Sequence, residues 1–181
     1  MTRKTGAAGP RATIALIVEE TRWQKDQLAL RLLRRAARLA LNASPVRSFG
    51  PPPPRAGEEK ETPAVTILLS NDVRLKSLNR DFRGRNKATN VLSFGSDCPY
   101  YLGDIAIAYE TTAKEARAQK KRFSAHASHL VMHGILHLFG HDHEDLASAA
   151  AMESLEAELL AKLGIADPYR PRPLTRAKKA A

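Results

Sequence analysis

Cysteine is almost missing from this sequence: Cys98 is the single thiol among 181 residues. An intramolecular disulfide is therefore excluded, and the composition suits a reducing, cytoplasmic compartment. Long apolar runs are missing too. The stretch 12–18 falls well short of the roughly 20 apolar residues a membrane span needs. Glu19 and Glu20 follow it at once, so it reads as a β-strand and not as the core of a signal peptide; a transit peptide is the weaker reading of the basic, acid-poor start. Aromatic residues are few, at 6%, yet 43% of residues are hydrophobic, enough for the core of one soluble domain of the α+β or α/β type. Acidic residues are outnumbered, 19 against 29 Lys and Arg, for a net charge of +10. That balance favours polyanionic partners, RNA foremost, over a generic solubility charge or an arginine excess from base composition. No internal repeat is present.

Residues 1–11 hold Arg3, Lys4 and Arg11 among Gly and Pro, and read as a flexible basic arm. The strand at 12–18 opens the domain, which extends to about residue 167. A helix is expected over 22–42, with Leu28, Leu32 and Leu39 in its apolar stripe and Arg31, Arg34, Arg35 and Arg38 opposite. An exposed proline-rich loop follows at 43–63, built around Pro51 to Pro54. Then come a strand at 64–70 and a helix from the Asn71 cap to about Phe82, with Val73, Leu75 and Leu78 on its face. Six basic residues lie between Arg74 and Lys87 against Asp81 alone. Strands at 90–94 and 102–108 are close enough to form an antiparallel hairpin. Helices are expected at 109–121, at about 125–139 with Ser124 as cap, and from Asp145 to Leu163, where Met152, Leu155, Leu159 and Leu163 form the core face and Gly164 the stop. A basic tail, 168–181, closes the chain and is read as mobile.

All six histidines lie between His126 and His143, and histidine is the side chain most used to hold a transition metal. His133 and His137 are four apart, which on a helix places both rings on one face, about 6 Å apart at Cβ. Gly140 permits a chain reversal that presents His143 as a third ligand. Three imidazoles with a fourth position left to water describe a catalytic zinc site, whereas structural sites are usually closed by four protein ligands. His129 is also four residues from His133, but eight residues of helix rise about 12 Å, too far for one ion to join His129 to His137. His129 is therefore read as a hydrogen-bonded packing residue, and His126 as a surface or capping residue. His141 rivals His143, or faces solvent. Asp142 is a fourth ligand, an orienting partner of a histidine, or a turn residue. The spacing also matches the metzincin pattern H-E-x-x-H-x-x-G-x-x-H, except that Gly134 stands where a metalloprotease carries its general base. That departure argues against peptide or amide hydrolysis.

Four ordered runs resemble the YbeY family of bacterial endoribonucleases: Leu78 to Gly84, Ala88 to Phe94, Leu102 to Ile105, and His133 to His143 followed by Met152 and Glu156. The likeness is strong over about 64–169. It implies a single compact α+β domain with a small mixed sheet of about four strands and about five helices. It further implies one zinc ion on His133, His137 and His143, and a basic groove for single-stranded RNA. The family processes the 3′ end of small-subunit ribosomal RNA and polices ribosome quality, so ribosomal RNA and the small subunit with its proteins are the implied partners. The arginine of its Arg-Gly motif is Arg83 here. A fixed cation there can hold the scissile phosphate beside a zinc-bound water, with either that water or the RNA 2′-hydroxyl as the nucleophile and no residue marked as general base; Arg80, Arg83, Arg85 and Lys87 are candidate RNA contacts, and Asp142 and His141 candidate outer partners of the zinc. The competing expectation is a ribosome assembly factor with a structural zinc and no catalysis. The chain departs from the family's common pattern in the proline-rich loop, the short connection at 95–101 and both basic extensions.

Overall fold

Burial alternates along β2 (Ala64–Ser70) and is nearly continuous along β4 (Tyr101–Ala108), the signature of a strand covered on both faces. In the computed structural model, which describes residues 13–43, 64–98, 101–141 and 145–170, these two form the centre of a four-stranded sheet. Its order is β1-β2-β4-β3, with β1 (Thr13–Val18) parallel to β2, β2 parallel to β4, and β3 (Val91–Gly95) antiparallel to β4 as the expected hairpin. Six helices pack around it among the described residues: α1 (Thr21–Gln24), α2 (Gln27–Ala43), α3 (Asp72–Arg83), α4 (Tyr109–Ala118), α5 (Phe123–Leu138) and α6 (Leu146–Ala161). The basic arm, the part of the proline-rich loop beyond Ala43, residues 142–144 and the tail from 171 lie outside the described residues.

Alternate residues of β4 enter two cores. Ile105 and Ile107 join Val65, Ile67 and Leu69 of β2 under α2, α5 and α6. Ala106 and Ala108 meet Leu75 of α3 and Leu92 of β3 on the opposite face. The expected α+β domain with a mixed sheet is what forms, with helices on both faces. Local rules account for several ends: Asn71 Oδ1 accepts from the Arg74 amide at 3.0 Å, and Asp145 Oδ1 accepts from Ala147 and Ser148, each at 2.8 Å.

Four expectations need correction. The helix at 22–42 is broken at Lys25 and Asp26, where Asp26 Oδ1 caps α2 by accepting from the Ala29 amide at 2.8 Å. The break turns Trp23 inward, fully buried, to donate to Ser70 O at 3.0 Å and pack on Tyr109 and Phe123. The buried stripe of α2 is Ala29, Leu33, Ala36, Ala37, Ala40 and Leu41, with Leu39 packed against the core as expected but Leu28 exposed. Val73 faces solvent, because two residues of helix turn it to the side opposite the buried Leu75. Ser124 does not cap α5: the N-cap is Arg122, which makes no side-chain cap bond, and Ser124 is buried with its carbonyl taken by Ser128 Oγ at 2.7 Å.

Gly134 has a packing reason to be glycine. A Cβ there would stand 3.0 Å from Ser93 Oγ and 3.1 Å from both Cδ1 and Cγ2 of the fully buried Ile105. The absence of a side chain thus lets α5 sit on β3 and β4. Installing the protease base by Gly134→Glu is expected to cost on the order of 3 kcal/mol through overpacking and a buried carboxylate. Urea unfolding would measure it, and undiminished stability would show that α5 does not need this contact.

Candidate metal centre

Helix α5 carries His129, His133 and His137 one turn apart along its length. Gly140, at φ 81°, ends the helical turn in the left-handed region. The Gly140 amide donates to His137 O at 2.8 Å and the His141 amide to Leu136 O at 3.1 Å, the two bonds of a Schellman stop. The helix stop expected at Gly140 is therefore made. His143 and Asp142 lie outside the described residues, and His141 follows the turn half-buried.

The rings of His133 and His137 meet at near right angles, with centroids 4.5 Å apart. Their Nε2 atoms approach to 3.0 Å. On its other side, His133 Nδ1 bonds Glu156 Oε1 at 2.8 Å, while His129 Nε2 bonds Glu156 Oε2 at 2.9 Å. The Tyr169 hydroxyl donates to the same Oε2 and lies 3.2 Å from His129 Nε2. Glu156 reaches these groups from α6 and is fully buried. Burial raises its pKa, but the bonds from His129, His133 and Tyr169 outweigh that and hold the carboxyl at about 2. Burial and the Glu156 charge raise the Tyr169 phenol.

His129, His133 and Glu156 offer donor atoms within 4.8 Å of one another, a grouping that could hold a metal ion. His133 thus belongs to two constellations, facing Glu156 through Nδ1 and His137 through Nε2. Converging imidazole nitrogens backed by a carboxylate fit a first-row transition metal.

His126 is not the surface or capping residue expected. It is 4% exposed and bonds Glu115 Oε2 at 2.8 Å through Nε2. Burial lowers its pKa against the pull of Glu115. Glu115 also accepts from Asn90 Nδ2 at 2.9 and 3.2 Å, which ties α5 to the start of β3.

Arg83 is the last residue of α3, and its Nη2 donates to Ser93 O at 3.0 Å. Arg83, Asn90, Ser93, His133 and His137 all line one cleft of about 560 Å³. Of the other candidate RNA contacts, Arg80 is paired with Asp81 at 2.8 Å, whereas Arg85 and Lys87 are exposed in the segment after α3.

Of the partners, Glu156 enters the sequence reading only as part of a family motif and with no role, and Tyr169 is missed. A signal existed for the first: Glu156 falls four residues after Met152 and three before Leu159, on the face of α6 that enters the core, where a carboxylate requires donors. Tyr169 had none, and the stretch from 168 was read as tail. Instead Pro168 O accepts from Lys121 Nζ at 3.2 Å, and Tyr169 packs its ring against His129 at 5.6 Å between centroids.

A helix carrying a row of histidines, a buried carboxylate behind them and a cleft shared with an arginine define an α+β protein with a candidate metal centre. The chain belongs to the YbeY endoribonuclease family. The family pattern for Endoribonuclease YbeY matches residues 54–164. A Bradyrhizobium diazoefficiens protein of that name is 40% identical over 173 residues, covering 90% of this chain and 87% of its own length. One from Rhodopseudomonas palustris is 43% identical over 169 residues, covering 88% and 91%. A Paramagnetospirillum magneticum relative reaches 50% identity over 115 residues, covering 58% and 70%. A Thermotoga maritima protein of known solution structure aligns with a TM-score of 0.49 and 20% identity, over 91% of this chain and 100% of its own. No helix among the described residues is long and apolar enough to cross a membrane.

Proposed function

We propose that this protein is a zinc-dependent endoribonuclease that cuts single-stranded RNA in the cytoplasm. Its role is maturation of the 3′ end of small-subunit ribosomal RNA and ribosome quality control, with the small subunit and its proteins as partners. One observation carries the reading: Arg83, His133 and His137 line the same cleft. In a family named for endoribonuclease activity, that arrangement matches a cation for a phosphate beside a metal site.

His133, His137 and His143 are the proposed ligands, and the first two fit because their Nε2 atoms converge to 3.0 Å. When bound, zinc supplies Lewis acidity toward a phosphoryl oxygen and lowers the pKa of water to about 7. Arg83 holds the scissile phosphate and offsets charge that grows on its oxygens as the phosphodiester breaks. Arg85 and Lys87 steer the strand by its phosphates, with Arg80 contributing less because Asp81 neutralises it. Gly134 leaves no side chain where a metalloprotease keeps its base, which supports a nucleic-acid substrate over a peptide.

The test uses a labelled single-stranded RNA and the same sequence annealed to its complement. Cleavage of the single strand is expected, with the duplex spared, activity lost to a chelator and restored by zinc. Cleavage that survives complete metal removal would overturn the zinc dependence. A metal-loaded protein that binds RNA without cutting it would favour the assembly factor.

A further inference from the structure

We infer that Glu156 is the positioning residue of the metal centre, and that Tyr169 locks it in place. Glu156 sets which nitrogen of His133 carries the proton and so leaves the other one to bind metal. This rests on the proposed role of His133 as a ligand.

An imidazole that binds metal through Nε2 must keep its proton on Nδ1. A carboxylate at Nδ1 fixes both that tautomer and the ring plane. Glu156 Oε1 stands 2.8 Å from His133 Nδ1, and the opposite nitrogen of the same ring faces His137 Nε2 at 3.0 Å. The carboxylate therefore works from behind the ring. It is an expensive device: Glu156 is 0% exposed, among Met152, Leu159 and Leu160 of the same helix at 1% or less. Packing alone would be served by leucine or methionine, whereas a buried charge needs saturated oxygens.

The second oxygen is saturated by His129 Nε2 at 2.9 Å and by the Tyr169 hydroxyl. Among the described residues, His129 Nδ1 is buried with no hydrogen-bond partner. A neutral ring places its one proton on the nitrogen that has an acceptor, so the proton sits on Nε2 and points at Glu156. His129 and Tyr169 thus hold the carboxylate at one end while it holds His133 at the other. The residue just past Pro168 becomes part of the metal centre.

The same atoms could instead ligate an ion directly, with Glu156 joined by His129 and by His133 through Nδ1. That arrangement would strip the facing protons from both rings and turn a protonated His133 Nε2 toward His137. Separations of 2.8 and 2.9 Å are those of N–H donors on a carboxylate, and they favour the positioning role.

The experiment is a zinc competition titration against a chromophoric chelator on the full chain, with circular dichroism and thermal melting of the metal-free protein alongside. Glu156→Gln should keep one ion per chain and bind it roughly 10- to 100-fold more weakly. The visible spectrum of the cobalt-loaded variant should match that of wild type, because the ligands are unchanged. Tyr169→Phe, which leaves both ring bonds to Glu156, should weaken binding by a smaller factor at the same stoichiometry. If Glu156→Gln does not fold, Glu156→Asp is read in the same way, with an intermediate affinity expected. Unchanged affinity in the folded variant would overturn the inference, and so would an altered cobalt spectrum, which would make Glu156 a ligand. A wild-type chain that takes up no zinc or cobalt would instead overturn the metal reading on which the inference rests.

Discussion

Purified His137→Ala is expected to carry no zinc, against about one per chain in the wild type, and to cut no RNA. His137 sits one residue before the last residue of α5, ahead of the Gly140 stop, and is only half-buried. Its neighbours Ile135 and Leu136 supply the packing, both at 0% exposure. Truncating the imidazole therefore removes a ligand more than it opens the core. Structural zinc in zinc-finger peptides binds with about 10–16 kcal/mol, which sets the scale here. Losing one of three ligands costs roughly a third of that, on the order of a thousandfold in affinity. Elemental mass spectrometry of the variant beside wild type checks the outcome, with circular dichroism to show that it folds. Full zinc content in the variant would remove His137 from the ligand set.

The second large effect is on turnover without loss of metal. Arg83→Ala should lower kcat about a hundredfold, equivalent to about 3 kcal/mol of transition-state stabilisation. The arginine occupies the C-terminal end of α3, where the helix dipole favours a cation, and its guanidinium is oriented by the Ser93 carbonyl at 3.0 Å. It is exposed, so little packing is lost with it. Arg83→Lys should fall between wild type and alanine, because a point charge replaces a planar fork. Single-turnover cleavage with metal content measured on the same samples separates the two roles. Full activity in Arg83→Ala would make it a solvated helix-end charge.

The parts legible in advance share a cause. Asn71 caps α3, Gly140 ends the histidine helix, and His133 and His137 share a face, all through interactions within a few residues that spacing and residue type encode directly. The hairpin of β3 and β4 follows from two short strands close together in sequence. The break at Asp26 was also local, yet a continuous apolar stripe hid it. What the pattern could not show was that Trp23 had to turn into the aromatic cluster of Tyr109 and Phe123.

The remainder depended on which helix lies beside which. His126 looked like a capping residue until α4 brought Glu115 to it. Gly134 looked like a missing catalytic base, and is the point where α5 touches Ser93 and Ile105. By itself the sequence determined the histidine cluster and the helix stop after it through short-range spacing, and through runs of adjacent residues the family, whose resemblance implied the mixed α+β architecture. Only the tertiary structure decided that Glu156 and Tyr169 stand behind those histidines and that Arg83 shares their cleft. Glu156 is 23 residues from His133, Tyr169 is 40 from His129, and Arg83 is 50 from His133, so these groups meet only when α6, α3 and β3 pack around α5. Burial then selects the groups that can satisfy one another's hydrogen bonds.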